Sequence, residues 1–177
     1  MTQEVFFEQI KARILDHIGT ADKSVKLAVS WLTDREIFQL LLKKLGEGVS
    51  VSIITRNDFL NNHPDALDWN QFIQSNGSLR FSKNGAQLHY KFILADDVKV
   101  LCTSYNLCCF ANGNNRENGM IFSDPGMVNH FIEEFNYLSS DLEAQKNVVR
   151  LQWTDLPEEL HGFYKGSLES DLAKQTI

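Results

Sequence analysis

Through the first 142 residues, short apolar runs rich in β-branched residues alternate with stretches of helical periodicity, and this leaves the chain few ways to bury its core. Val5, Phe6, Ile10, Ile14, Leu15 and Ile18 recur at helical spacing, so residues 3–18 are expected to form an amphipathic helix. Residues 24–31, SVKLAVSW, suit a buried strand. Thr33-Asp34-Arg35-Glu36 has the form of a capping box with Thr33 as the cap, predicting a helix through Leu45 that ends at Gly46 or Gly48. A strand over 49–55 and a helix over 66–75, stopped by Asn76-Gly77, should follow. Four further strands are expected over 78–82, 88–95, 98–104 and 118–122, the middle two joined by a tight turn at Asp96-Asp97. Asp124 and Pro125 then open a helix to about Leu142. The order predicts an α/β fold, a three-layer α/β/α sandwich around a mixed sheet. Residues 143–177 have weaker periodicity and carry Trp153, Pro157 and Gly166, so the expected organisation is a domain over 1–142 and a C-terminal appendage over 143–177.

Composition narrows the class. No apolar run reaches the roughly 18 residues that span a bilayer, and charges interrupt the first 18 residues, which argues against a signal peptide or anchor. Cys102, Cys108 and Cys109 are odd in number and match neither a disulfide framework nor a zinc spacing. A reducing cytoplasm is the compartment they suggest. The net charge of −6 speaks against tight, nonspecific binding along duplex DNA, while leaving room for a local basic cleft.

The chemistry concentrates in residues 88–118. Strand side chains alternate between faces, so His89 and Lys91 point to one side and Asp96, of opposite parity and near the turn, is better suited to holding backbone. On the next strand Ser104 and Asn106 share a face. Paired through the Asp96-Asp97 turn, these strands would bring an imidazole, an ammonium, a hydroxyl and an amide together. Such a set suits a phosphate diester. Lys91 supplies positive charge, Ser104 and Asn106 donate to nonbridging oxygens, and His89 can attack phosphorus if an acceptor orients its other nitrogen. Glu117, at the start of the following strand, is the candidate acceptor.

His89, Lys91 and Asp96 form HxKxxxxD, which resembles the signature of the phospholipase D superfamily. Ser104, Asn106 and Glu117 stand where its short, single-motif nucleases carry their downstream serine, asparagine and glutamate. The resemblance covers residues 5–140. It implies a nucleophilic histidine at His89, a phosphate-binding lysine at Lys91 and a structural aspartate at Asp96. It further implies a phosphate-binding pair at Ser104 and Asn106, and at Glu117 the carboxylate that holds the histidine. One position departs from the pattern: Thr103 stands where the family usually has glycine just before the serine.

Arg56, after the second strand, and Arg116, beside Glu117, are possible substrate contacts, with ordinary surface charge the competing explanation. Trp31 and Trp69 suit core or rim packing better than base stacking. His17, His63, His130 and His161 have no metal-ligand spacing, and Cys108 and Cys109 suit buried packing, so no cofactor and no metal is expected. A phosphohistidine route needs a nucleophile and a general acid on opposite sides of the scissile bond. One motif per chain therefore implies a homodimer with a composite site. The expected activity is that of a metal-independent phosphodiesterase on a nucleic acid substrate, DNA or RNA. The alternatives are a lipid phosphodiesterase or phosphatidyl transferase, and a catalytically weak binding module.

Overall fold

A computed structural model describes residues 3–82, 88–108 and 115–175, with side chains through 169. The elements in chain order are β1 (Gln3–Phe6), α1 (Ile10–Gly19), β2 (Ser24–Val29), α2 (Arg35–Gly46), β3 (Ser50–Thr55), α3 (Phe59–Asn62) and α4 (Trp69–Gln74). There follow β4 (Ser78–Phe81), β5 (Lys91–Ala95), β6 (Lys99–Thr103), β7 (Gly119–Phe122), α5 (Pro125–Ser140) and α6 (Glu158–Gln175). Seven strands form one sheet in the order β1-β7-β6-β5-β2-β3-β4. The β2-β3-β4 side is parallel, and every pairing from β2 through β5, β6 and β7 to β1 is antiparallel. This is the mixed sheet that the alternation predicts.

Strand parity builds two cores. Val25, Leu27 and Val29 of β2 join Ile93 of β5 and Leu101 of β6 beneath α1 and α2, in one apolar cluster with Ile14, Ile18, Ile37 and Leu41. The opposite face gathers Ala28, Phe92, Leu94 and Val100 under Val128 and Phe135 of α5. Helices cover both faces, giving three layers.

The helix expected over 3–18 divides. Residues 3–6 are an edge strand and the helix begins only at Ile10, because Gln9 has a left-handed φ of 55° that interrupts the helical path. Val5 opposes Met120 and is exposed, while Phe6 opposes Gly119 and is buried. A Cβ on Gly119 would lie 2.4 Å from the Phe6 ring, so this close crossing requires glycine. The cap of α2 is Asp34 rather than Thr33. Its Oδ1 accepts from the backbone N–H groups of Glu36 and Ile37, and Lys11 neutralises its carboxylate at 2.8 Å. A carboxylate at this position outcompetes the hydroxyl because it meets both the free amides and the positive helix end.

The segment after α5 packs on the domain. Gln145 N–H donates to the Leu79 carbonyl, Leu151 N–H to the Asn62 carbonyl, and Arg150 Nη2 to the carbonyls of Ala66 and Leu67. Leu168 of α6 is buried beside Phe59 and Leu60 of α3, a short helix absent from the sequence expectations. Among the described residues, no helix is long and apolar enough to cross a membrane.

Candidate active site

Because β5 runs antiparallel to β2 and β6, its beginning lies beside their ends, and β7 begins there too. His89 and Tyr90 precede β5, Ser30 follows β2, Ser104 and Asn106 follow β6, and Glu117 precedes β7. One edge of the sheet thus collects every polar group of the sequence constellation except Asp96.

His89 is exposed and Lys91 half-buried. The Lys91 Nζ lies 3.3 Å from His89 Nε2, and donates to the His89 carbonyl at 3.1 Å and to Ser30 Oγ at 3.4 Å. A lysine ammonium only donates, so this contact requires an unprotonated Nε2, with the ring proton on Nδ1. Burial lowers the Lys91 pKa from the usual lysine range, opposed by the Glu117 carboxylate and by Cys108.

Ser104 Oγ donates to Glu117 Oε2 and accepts from the Asn118 backbone N–H at 3.0 Å. Its single proton is therefore engaged within the protein. Glu117, expected to hold the histidine, is held here by the serine and has no hydrogen bond to His89 among the described residues. Thr103 Oγ1 donates to the Asn118 carbonyl at 2.5 Å and accepts from Tyr105 N–H at 3.0 Å, so it ties the end of β6 to the start of β7. The segment carrying Asn106 is fixed by Leu107, whose carbonyl accepts from the N–H groups of Thr33 and Asp34. The Asn106 Oδ1 is buried with no hydrogen-bond partner among the described residues.

Asp96 lies at the far end of β5. Asp96 and Asp97 both have left-handed φ, 56° and 55°, within a turn closed by the Val98 N–H donating to the Ala95 carbonyl at 3.1 Å, and Ala95 pairs with Lys99 across it. The Asp96 carboxylate accepts from the backbone N–H groups of Asp22, Lys23 and Ser24 at 2.7–2.9 Å. Partial burial works to raise its pKa, but these three donors and the Lys23 charge prevail and hold it below the usual carboxylate range.

Arg56 follows β3. Its Nε lies 3.1 Å from Asp58 Oδ2, and its guanidinium sits over the Trp31 ring at 5.3 Å. Trp31 Nε1 donates to the same Asp58 oxygen at 2.7 Å. Arg116 is exposed beside Glu117, and Trp69 lies in the core, edge-on to Phe38. Cys108 is buried, burial pushes the Cys102 thiol up to about 12, and Cys109 lies outside the described residues. Among the described residues, no group of three or more His, Cys, Asp or Glu side chains is gathered for a metal ion.

Sequence reasoning missed two supports. Ser30 was hidden inside an apolar run, where a serine reads as strand filler. Asn61, fully buried, gave no signal in sequence. Its Nδ2 donates to the carbonyls of Ser30 and Arg56 and to Thr55 Oγ1, and its Oδ1 accepts from Leu32 N–H, joining the ends of β2 and β3 behind Lys91.

A profile of the family described as "Cardiolipin synthase, PLD-like domain" matches residues 14–139. The mitochondrial cardiolipin hydrolase of Chlamydomonas reinhardtii is 32% identical over 127 residues, covering 72% of this chain and 56% of that protein. That of Danio rerio is 26% identical over 125 residues, covering 70% of this chain and 54% of its own length. The chain thus spans a little over half the length of these curated relatives. The crystal structure of Nuc from Salmonella typhimurium, a phospholipase D family member, superposes with a TM-score of 0.74 at 21% identity. The match covers 82% of this chain and 99% of Nuc. These relatives overturn the cytoplasmic assignment, since the two cardiolipin hydrolases are mitochondrial by name. Cysteine usage reports a reducing environment, which several compartments share, and so carries no address.

Proposed function

This chain belongs to the phospholipase D superfamily of phosphodiesterases, and from that premise we propose that it cleaves phosphate diesters through a phosphohistidine on His89, without a metal ion. The observation that carries the reading is the contact between Lys91 Nζ and His89 Nε2 at the open edge of the sheet, an unprotonated imidazole nitrogen beside a cation. Nε2 attacks phosphorus, forming a P–N bond as the P–O bond to the leaving group breaks. Lys91 and the Asn106 amide stabilise the charge that grows on the nonbridging oxygens. Ser104 turns its proton from Glu117 to the phosphate, which frees the carboxylate to accept the His89 Nδ1–H. The leaving oxygen takes its proton from a second imidazole, His89 of the partner subunit in a homodimer, and that imidazole then activates the water that breaks the P–N bond.

The substrate we favour is a nucleic acid strand, DNA or RNA, the class to which the short single-motif resemblance points. A second reading, a cardiolipin-type phospholipid, is favoured by the names of the sequence relatives. The test is turnover of bis-p-nitrophenyl phosphate, single-stranded DNA, RNA and cardiolipin micelles in excess EDTA. We expect diester cleavage to persist under chelation and to vanish in His89→Ala. Activity abolished by EDTA and restored by Mg²⁺ or Zn²⁺ would mean metal-activated water and would overturn the mechanism.

A further inference from the structure

We infer that Arg56 forms a second phosphate-binding position, occupied by the phosphate next to the scissile one in a nucleic acid strand. The inference rests on the phosphodiesterase reading for its first position and extends it to a second. Lys91, Ser30 and Arg56 stand at the same edge of three adjacent strands, β5, β2 and β3. Neighbouring strands are about 4.8 Å apart, so the backbones at Lys91 and Arg56 are separated by roughly 10 Å, a span that two long cationic side chains can share with consecutive phosphates.

Arg56 is built to present its fork rather than to wander. Its backbone carbonyl accepts from Asn61 Nδ2 at 2.9 Å, fixing the root of the side chain. Its Nε is held by Asp58 and its face by Trp31, and Trp31 is itself anchored to Asp58. The side chain keeps 26% of its surface exposed, and the two terminal nitrogens have no hydrogen bond or ion pair among the described residues. Planar donors with a fixed orientation and no internal partner match the bidentate geometry of a phosphate. Asp58 also accepts from Trp31 Nε1 and the Asn61 N–H, which fixes the carboxylate that holds Arg56 by its Nε.

The experiment compares Arg56→Gln and Arg56→Lys with the wild type on bis-p-nitrophenyl phosphate, which has one phosphate, on a short oligonucleotide, which has several, and on cardiolipin micelles. We expect the Gln variant to lose at least about tenfold more kcat/KM on the oligonucleotide than on the small diester, chiefly through KM. The Lys variant should recover part, as a point charge without the fork. In parallel, anisotropy of a labelled single strand bound to His89→Ala protein, with and without Arg56→Gln, reads binding without turnover. Loss of one phosphate contact should reduce the slope of log K against log salt by about 0.7. Equal losses on both substrates, or an unchanged slope, would make Arg56 structural and overturn the inference. A loss confined to cardiolipin micelles would overturn the nucleic acid assignment in favour of a lipid headgroup. Should the wild type cleave no diester at all, the phosphodiesterase reading fails, while the salt slope still decides the role of Arg56. If Arg56→Gln unfolds, Arg56→Met, which keeps an apolar stem against Trp31 without the charge, carries the same comparisons.

Discussion

At the scale of single residues, Thr103, standing where the family resemblance would put glycine, takes a structural part. The hydroxyl accepts from Tyr105 N–H and donates to the Asn118 carbonyl, while Ser104 accepts from Asn118 N–H and donates to Glu117. Two hydroxyls thus lock the end of β6 to the peptide that bears Glu117. Thr103→Val keeps shape but removes the donor and acceptor, and a hydrogen bond of this kind contributes about 1 kcal/mol net. If that loss is expressed in the transition state, kcat on bis-p-nitrophenyl phosphate falls about fivefold, and Thr103→Ser restores it. Full activity in a folded Thr103→Val protein would show that the tie is dispensable. The spacing of HxKxxxxD and the residues after it named the candidate groups, but the strands expected over 88–95 and 98–104 run only over Lys91–Ala95 and Lys99–Thr103, so His89, Ser104 and Asn106 lie just beyond them, where strand parity does not place side chains. It could not identify hydrogen-bond partners. That Glu117 is held by Ser104, and that Asn61 backs Lys91 through Ser30, depend on contacts between segments remote in sequence.

At the scale of elements, the hairpin β5–β6 turns where the sequence places its turn. Asp96-Asp97 reads as a turn because aspartate tolerates the left-handed conformation, and both residues adopt it. Asp96 then does a second task, accepting three backbone N–H groups that enter β2. Its pKa is depressed in the folded protein, so its stabilisation is fully present above the unfolded carboxylate value of about 3.9 and is lost as pH falls through the lower folded value. Asp96→Asn keeps the turn conformation but removes the charge. We expect it to cost about 1–2 kcal/mol at neutral pH, discounted for partial exposure, with the gap to wild type closing below about pH 4. Urea unfolding of both proteins across that range checks this, and a gap independent of pH would assign the loss to geometry instead of charge. The first element shows the opposite case. Val5 and Phe6 fit a helical repeat with Ile10 and Ile14 by coincidence of spacing, and only the pairing of β1 with β7 reveals the strand. An edge strand of four residues leaves too short an alternation for periodicity to detect.

At the scale of the whole molecule, the described elements supply a sheet edge with one imidazole of the motif, whereas the proposed route needs two. An acid must face the leaving oxygen from the side opposite the nucleophile, and a twofold axis that brings two copies of the edge together supplies it with no further residue. Mixing experiments separate this from two independent sites. Wild-type and His89→Ala chains, denatured together in equal amounts and refolded, pair at random into about a quarter wild-type, half mixed and a quarter mutant dimers. A mixed dimer keeps one imidazole, which can attack or protonate but cannot do both across one phosphorus. Activity should then be about a quarter of that given by the same total concentration of wild-type protein, against about a half if each subunit acts alone. The His89→Ala protein must be folded for the comparison to hold, and the exposure of His89 outside the two cores favours that. A value of one half would require an acid within the single chain, and a fully active monomer in sedimentation would require the same.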